Sequence, residues 1–77
     1  MHFPRAVTAT QITAGTSGVI DRFTNENLAG KLLDIGVRPG SRLRIIRKGP
    51  FGGSWYVKID HHRVALRRRE LACILIK

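Results

Sequence analysis

Few residues in this chain are of types that do chemistry, and their spacing limits what they can do. Asp60-His61-His62 is the densest cluster. Neutral imidazole is a common ligand for transition metals, so His61 and His62, adjacent at a turn after an aspartate, are the candidate metal ligands. A specific site wants three or four ligands on fixed elements, and only Asp60 lies near them in sequence. Cys73 is the single cysteine. In a strand-like run it reads as a small hydrophobe, and one cysteine makes no internal disulfide. Five carboxylates are scattered along the chain, which disfavours a general acid–base pair. Gly49-Pro50-Phe51-Gly52-Gly53 is glycine-rich but lies between two strand-like runs, whereas a phosphate cradle needs a helix N-terminus after it. There is no P-loop and no G-x-G-x-x-G. These absences point to a binding module, not an enzyme. No cofactor is required on this reading; a transition metal, iron or zinc, stays open through the two histidines.

Charge supplies the strongest compositional signal. Fourteen Lys and Arg face five Asp and Glu, a formal net charge of +9. Ten of the fourteen lie between Arg38 and Arg69. Such a surface suits a polyanion, an acidic protein or an anionic membrane leaflet, and equally a solvated face that keeps a small domain soluble. At 77 residues, 43% of them hydrophobic, the chain allows one domain with a small core. No run approaches the roughly 20 apolar residues of a membrane span, and the first residues lack the apolar stretch of a secretion signal. A cytoplasmic location is expected.

The elements follow from periodicity. Residues 1–8 read as a flexible arm and residues 9–77 as the folded domain. Ser17–Phe23 reads as a first strand, weakened or bulged at Gly18. Asn25 is placed to cap a helix whose first turn carries Glu26. Leu28, Leu32 and Ile35 recur at helical spacing and predict the buried face. Off that stripe, Lys31 and Leu33 are candidates for contact with a partner. Gly36 suits the left-handed position that stops a helix, and Pro39-Gly40 suits the centre of a type II turn. Leu43 and Ile45 alternate with Arg42 and Arg44 until Ile46 breaks the pattern. Trp55, Val57 and Ile59 alternate with Tyr56 and Lys58. Val64 and Leu66 alternate with Arg63, Ala65 and Arg67, and Ile74 and Ile76 with Cys73, Leu75 and Lys77. One face is apolar and the other cationic, as in an antiparallel sheet with one side in water. Arg67–Ala72 reads as one helical turn. The predicted fold is mainly β: five short strands closing into a small barrel, with one inserted helix and a helical turn before the last strand. Its core would hold Leu28, Leu32, Ile35, Leu43, Ile45, Trp55, Val57, Ile59, Val64, Leu66, Ile74 and Ile76.

The string L-x-x-G-x-x-P-G-S from Leu33 to Ser41, followed by a strand and the Pro50-Phe51-Gly52 loop, resembles the FeoA-like family of ferrous iron transport. Val64-Ala65-Leu66-Arg67, then Glu70, Ala72 and Ile74, is similar to that family's closing pattern. The resemblance covers roughly residues 9–77. It implies an SH3-like barrel and a cytosolic accessory of the ferrous iron transporter, a membrane protein that carries a GTP-binding domain. The chain would dock on that partner and be peripheral to the membrane through it. Arg47 and Lys48 would steer docking, and Pro50 and Phe51 would supply apolar contact; alternatively Phe51 folds back to plug the barrel. Two departures from the family pattern, Gly53-Ser54 after the loop and His61 in the hairpin turn, touch the loops more than the fold. The alternative function is a basic small-barrel domain that binds nucleic acid or responds to metal. There Arg42, Arg44, Lys58, Arg63 and Arg67 would share one face and Tyr56 would stack on a base.

Overall fold

The computed structural model describes residues 7–50 and 53–77. Six strands, two helices and one 3₁₀ turn follow in order: β1 (Val7–Thr8), the 3₁₀ turn (Ala9–Gln11), β2 (Ser17–Phe23), α1 (Glu26–Asp34), β3 (Arg42–Arg47), β4 (Trp55–Ile59), β5 (His62–Leu66), α2 (Arg68–Leu71) and β6 (Ile74–Ile76). Every strand pair is antiparallel, in the order β1-β6-β2-β3-β4-β5. The architecture is therefore mainly β, as expected, but with six strands instead of five. The hydrogen-bonded order is also open, with β1 and β5 at its two ends. The additional strand is β1: Val7 and Thr8, assigned to the arm from sequence, pair with Ile76 and Leu75. Two residues carry no readable alternation, so only their tertiary partner reveals them. Residues 1–6, the rest of the predicted arm, lie outside the described residues.

The turn chemistry sets the path between helix and sheet. Asn25 caps α1, its side-chain oxygen accepting from the Leu28 N–H at 3.1 Å. At the other end Gly36 has φ +90°. Its N–H donates to the Leu33 carbonyl at 3.1 Å, and the Val37 N–H to the Leu32 carbonyl at 2.8 Å. This double closure reverses the chain after the helix and satisfies carbonyls that would otherwise be orphaned. It also decides the core. Ile35, predicted inside, is 38% exposed, while Val37 is fully buried beside Leu32. The helical stripe ends one position early because the chain has already turned, and the reversal swings Val37 inward in place of Ile35. Pro39-Gly40 forms the expected type II turn, with φ +90° at Gly40 and the Ser41 N–H donating to the Arg38 carbonyl at 3.0 Å.

Two irregularities shape the sheet. The β3–β4 register shifts between Ile45 and Arg47, leaving Ile46 as the extra residue of a bulge. That is the position where alternation failed in the sequence, and Ile46 is 40% exposed. β2 pairs with β3 through Ser17–Val19 and with β6 through Ile20–Phe23, across a second shift between Ile20 and Arg22. Gly18 belongs to this crossing: a Cβ there would collide with the Ile76 side chain, so glycine admits β6 against β2.

The predicted core residues are buried apart from Ile35, with Leu28 and Val64 partly so. Ala9, Ile12, Ile20, Leu71, Cys73 and Leu75 join them. Alternation sets Cys73 and Leu75 opposite Ile74 and Ile76, yet Leu75 is buried, and so is Cys73, in keeping with its reading as a small hydrophobe. β6 is paired along both edges, by β1 and β2, and the 3₁₀ turn packs on it, and all three of its residues are buried.

Candidate docking surface

The register of β3, β4 and β5 assembles a two-part surface on the solvent side of the sheet. Arg44 pairs with Lys58, and Lys58 with Arg63, which sets three cations side by side across three strands. All three side chains are exposed. Like charges opposite one another cost stability, so this row does not help to hold the sheet together. Asp60 borders a hollow with Arg44 and Lys58, and its carboxylate is already engaged. Asp60 is held at φ 51° in the two-residue turn between β4 and β5, where its Oδ1 accepts from the Arg42 N–H at 3.0 Å. That hydrogen bond, helped by the Ser41 hydroxyl and the neighbouring His61 and His62, keeps its carboxyl below the ordinary value despite slight desolvation.

The next row along the same face is apolar. Tyr56 pairs with Ala65, and the bulge turns Ile46 out beside them. Ile46, Arg47, Tyr56, Arg63, Val64 and Ala65 line a shallow groove of about 340 Å³. Tyr56 is 54% exposed, the largest exposure of any described large hydrophobic residue. Trp55, on the opposite side of β4, is buried, with the Lys48 ammonium 5.0 Å from its ring centroid. Lys48 is thereby drawn onto the ring by a cation–π contact.

The residues proposed from sequence fall in different places. Arg47 lines the groove, whereas Pro50 is exposed in the following loop and Phe51 lies outside the described residues. Leu33 is 47% exposed on α1. Lys31 is not free: its Nζ sits 2.8 Å from Glu70 Oε2. Glu70 is buried on α2, and its Oε1 accepts from the Arg67 N–H at 2.8 Å. Burial opposes its ionisation, but Lys31, the Arg67 N–H and the Arg69 charge outweigh it and hold the carboxyl below its ordinary value. Arg67 leaves the group expected on one face. It caps α2 and borders a separate hollow with Thr10, Arg68, Arg69 and Ala72. Arg42, Arg44, Lys58 and Arg63 do share the sheet face. Ile46 and Ala65 were missed as surface contacts, although the broken alternation at Ile46 was a signal for the first.

The donor set of the described residues does not fit a bound metal. Among the described residues no three His, Cys, Asp or Glu side chains gather into a possible site. Asp60 is committed to the Arg42 backbone, and the His62 ring lies against Gly36, 3.1 Å from where a Cβ would stand. The Cys73 thiol is buried and donates to the Glu70 carbonyl at 3.0 Å. Burial raises its pKa above the ordinary thiol value. No helix among the described residues is long and apolar enough to cross a membrane.

Known proteins resemble this arrangement as a whole. A zinc complex of FeoA from Stenotrophomonas maltophilia, described as an SH3 domain protein, is 30% identical, with a TM-score of 0.72 over 94% of this chain and 91% of that one. A manganese-dependent transcriptional repressor is 25% identical with a TM-score of 0.83. The match takes in 97% of this chain, which spans only 42% of the repressor's length. A FeoA-like protein from Clostridium acetobutylicum, 17% identical, shares the fold at a TM-score of 0.84 over 97% of this chain and 88% of that one. No curated protein matches. The FeoA domain pattern matches residues 7–77, from β1 to the last residue, and the chain therefore belongs to the FeoA domain family.

Proposed function

We propose that this chain is a cytosolic accessory of ferrous iron uptake, which acts by docking on the membrane transporter that carries a GTP-binding domain. The observation that carries this reading is the family match over residues 7–77. The Stenotrophomonas relative, offered as a ferrous iron transport activating factor, supports it. On this reading the six strands, from Val7 to Ile76, curl into an SH3-like small barrel. The chain works by binding alone, held at the membrane through its partner. Leu33, Arg47, Lys48 and Pro50 belong to the contact surface, with Phe51 beside them in sequence. Lys31 contributes only if docking breaks its pairing with Glu70.

The test is capture of the tagged protein's partners from native membranes, followed by their identification. Recovery of the GTPase-bearing transporter is the expected result. Leu33→Ser should reduce that recovery at least several-fold while lowering the melting midpoint by only a few degrees, since Leu33 is half exposed and serine costs a helix roughly 0.5 kcal/mol relative to leucine. Recovery that excludes any iron transporter overturns the reading.

A second reading is a metal-responsive regulatory domain, favoured by the likeness to a manganese-dependent repressor over 97% of this chain. It needs a ligand set that the described residues do not gather.

A further inference from the structure

Three observations on the β3–β5 face converge. The first is the row Arg44–Lys58–Arg63, with no described acid paired to it. The second is the groove beside that row, walled by Ile46, Tyr56, Val64 and Ala65. The third is that β5 ends the strand order, and no backbone hydrogen bond beyond its β4 ladder is made by residues 62–66 among the described residues. A strand edge with free N–H and C=O groups is a template for another strand.

Resting on the accessory reading above, we propose that this face receives an extended segment of the partner protein. The segment adds as a strand along β5 and carries an acidic and an apolar side chain two residues apart. The spacing follows from the pleat. On β5, Arg63 and Ala65 face the same side, one beside the cation row and the other beside the groove. Side chains of an added strand alternate faces, so those lying next to Arg63 and Ala65 are also separated by two positions. The carboxylate meets Arg63 and Lys58, and the apolar side chain enters the groove against Tyr56 and Ile46. A single-stranded nucleic acid fits less well. It wants successive aromatic platforms, but Trp55 is buried and Tyr56 is the one aromatic residue in a groove otherwise lined by Ile46, Arg47, Arg63, Val64 and Ala65.

The test uses the full chain, isotope-labelled, and two capped heptapeptides of identical composition. In one, Thr-Glu-Thr-Leu-Thr-Glu-Thr, glutamate and leucine are two apart. In the other, Thr-Glu-Leu-Thr-Thr-Glu-Thr, the first glutamate and the leucine are adjacent. The first should shift the amide resonances of Arg44, Ile46, Lys58, Arg63 and Ala65, and bind at least ten-fold more tightly than its isomer. Arg63→Glu should weaken it at least ten-fold, and Tyr56→Ser several-fold, in variants whose spectra remain dispersed. Equal binding of the isomers, no binding of either, or shifts centred on Thr10 and Arg67–Arg69 would overturn the proposal. So would tighter binding of an oligothymidine or of phosphatidylserine vesicles at this face. Membrane capture reports separately. Capture of the transporter without spacing-dependent peptide binding sinks only this inference, and the converse sinks only the accessory reading.

Discussion

Glu70 is the side chain whose surroundings say most at the residue scale. It is 3% exposed, reaches back to the Arg67 N–H, and relies on Lys31 for its second oxygen. Because its folded pKa lies below the ordinary value, the unfolded chain binds more protons in the window between the two. Its contribution is thus fully present above about pH 4.5, the ordinary value, and is lost as pH falls through the folded value. Glu70→Gln should cost about 1–3 kcal/mol at neutral pH. The variant should also flatten the acid limb of stability measured by urea melts from pH 3 to 7. An unchanged acid limb would show that Asp60, shifted in the same direction, dominates it. Cys73 is the other buried titratable group among the described residues. With a raised pKa and a covered sulfur, it should resist alkylation by iodoacetamide at pH 8 in the native protein and react once urea unfolds it.

Among the elements, the close of α1 bears the most consequence. Gly36 takes a left-handed conformation that costs other residues about 1–2 kcal/mol, and its missing Cβ leaves room for the His62 ring. Gly36→Ala should lower the thermal midpoint by about 4–16 °C in calorimetry, given 4–8 °C per kcal/mol for a domain of this size. A wild-type midpoint would mean that the turn relaxes without displacing Val37. Within the hairpin, Leu66 is 1% exposed opposite Trp55. Leu66→Ala should cost about 2–5 kcal/mol in urea melts. A loss below about 1 kcal/mol, the range of surface changes, would contradict the burial of this strand face.

For the whole molecule, a net charge of +9 dominates behaviour at low salt. Single-stranded oligonucleotides should bind weakly and without sequence preference. Log K should fall against log salt by about 0.7 for each phosphate neutralised, with binding gone near 150 mM. Sequence-specific, sub-micromolar binding at that salt would count against a transporter accessory. Among the described residues cations gather in two separate regions, the β3–β5 face and the Arg67–Arg69 hollow. A charge reversal confined to one region should therefore remove only part of the salt slope.

What depends on local geometry was legible in the residues alone. Glycine and proline at Gly36, Pro39 and Gly40 dictated the helix stop and the turn, because few other residues take those backbone angles. Alternation along β3, β4 and β5 named the inward residues, and its failure at Ile46 marked the bulge. The motif order carried the family. Tertiary structure alone decided what depends on distant partners. The pairing of Val7–Thr8 with β6 makes a strand of two residues that have no period to read. The packing of the 3₁₀ turn on β6 and its pairing along both edges accompany the burial of Cys73 and Leu75 against their alternation. The exchange of Ile35 for Val37 follows from a chain reversal, not from helical spacing. The docking surface is of the same kind. Arg44, Lys58 and Arg63 are spread over twenty positions of the chain, and only the register of three strands sets them in one row.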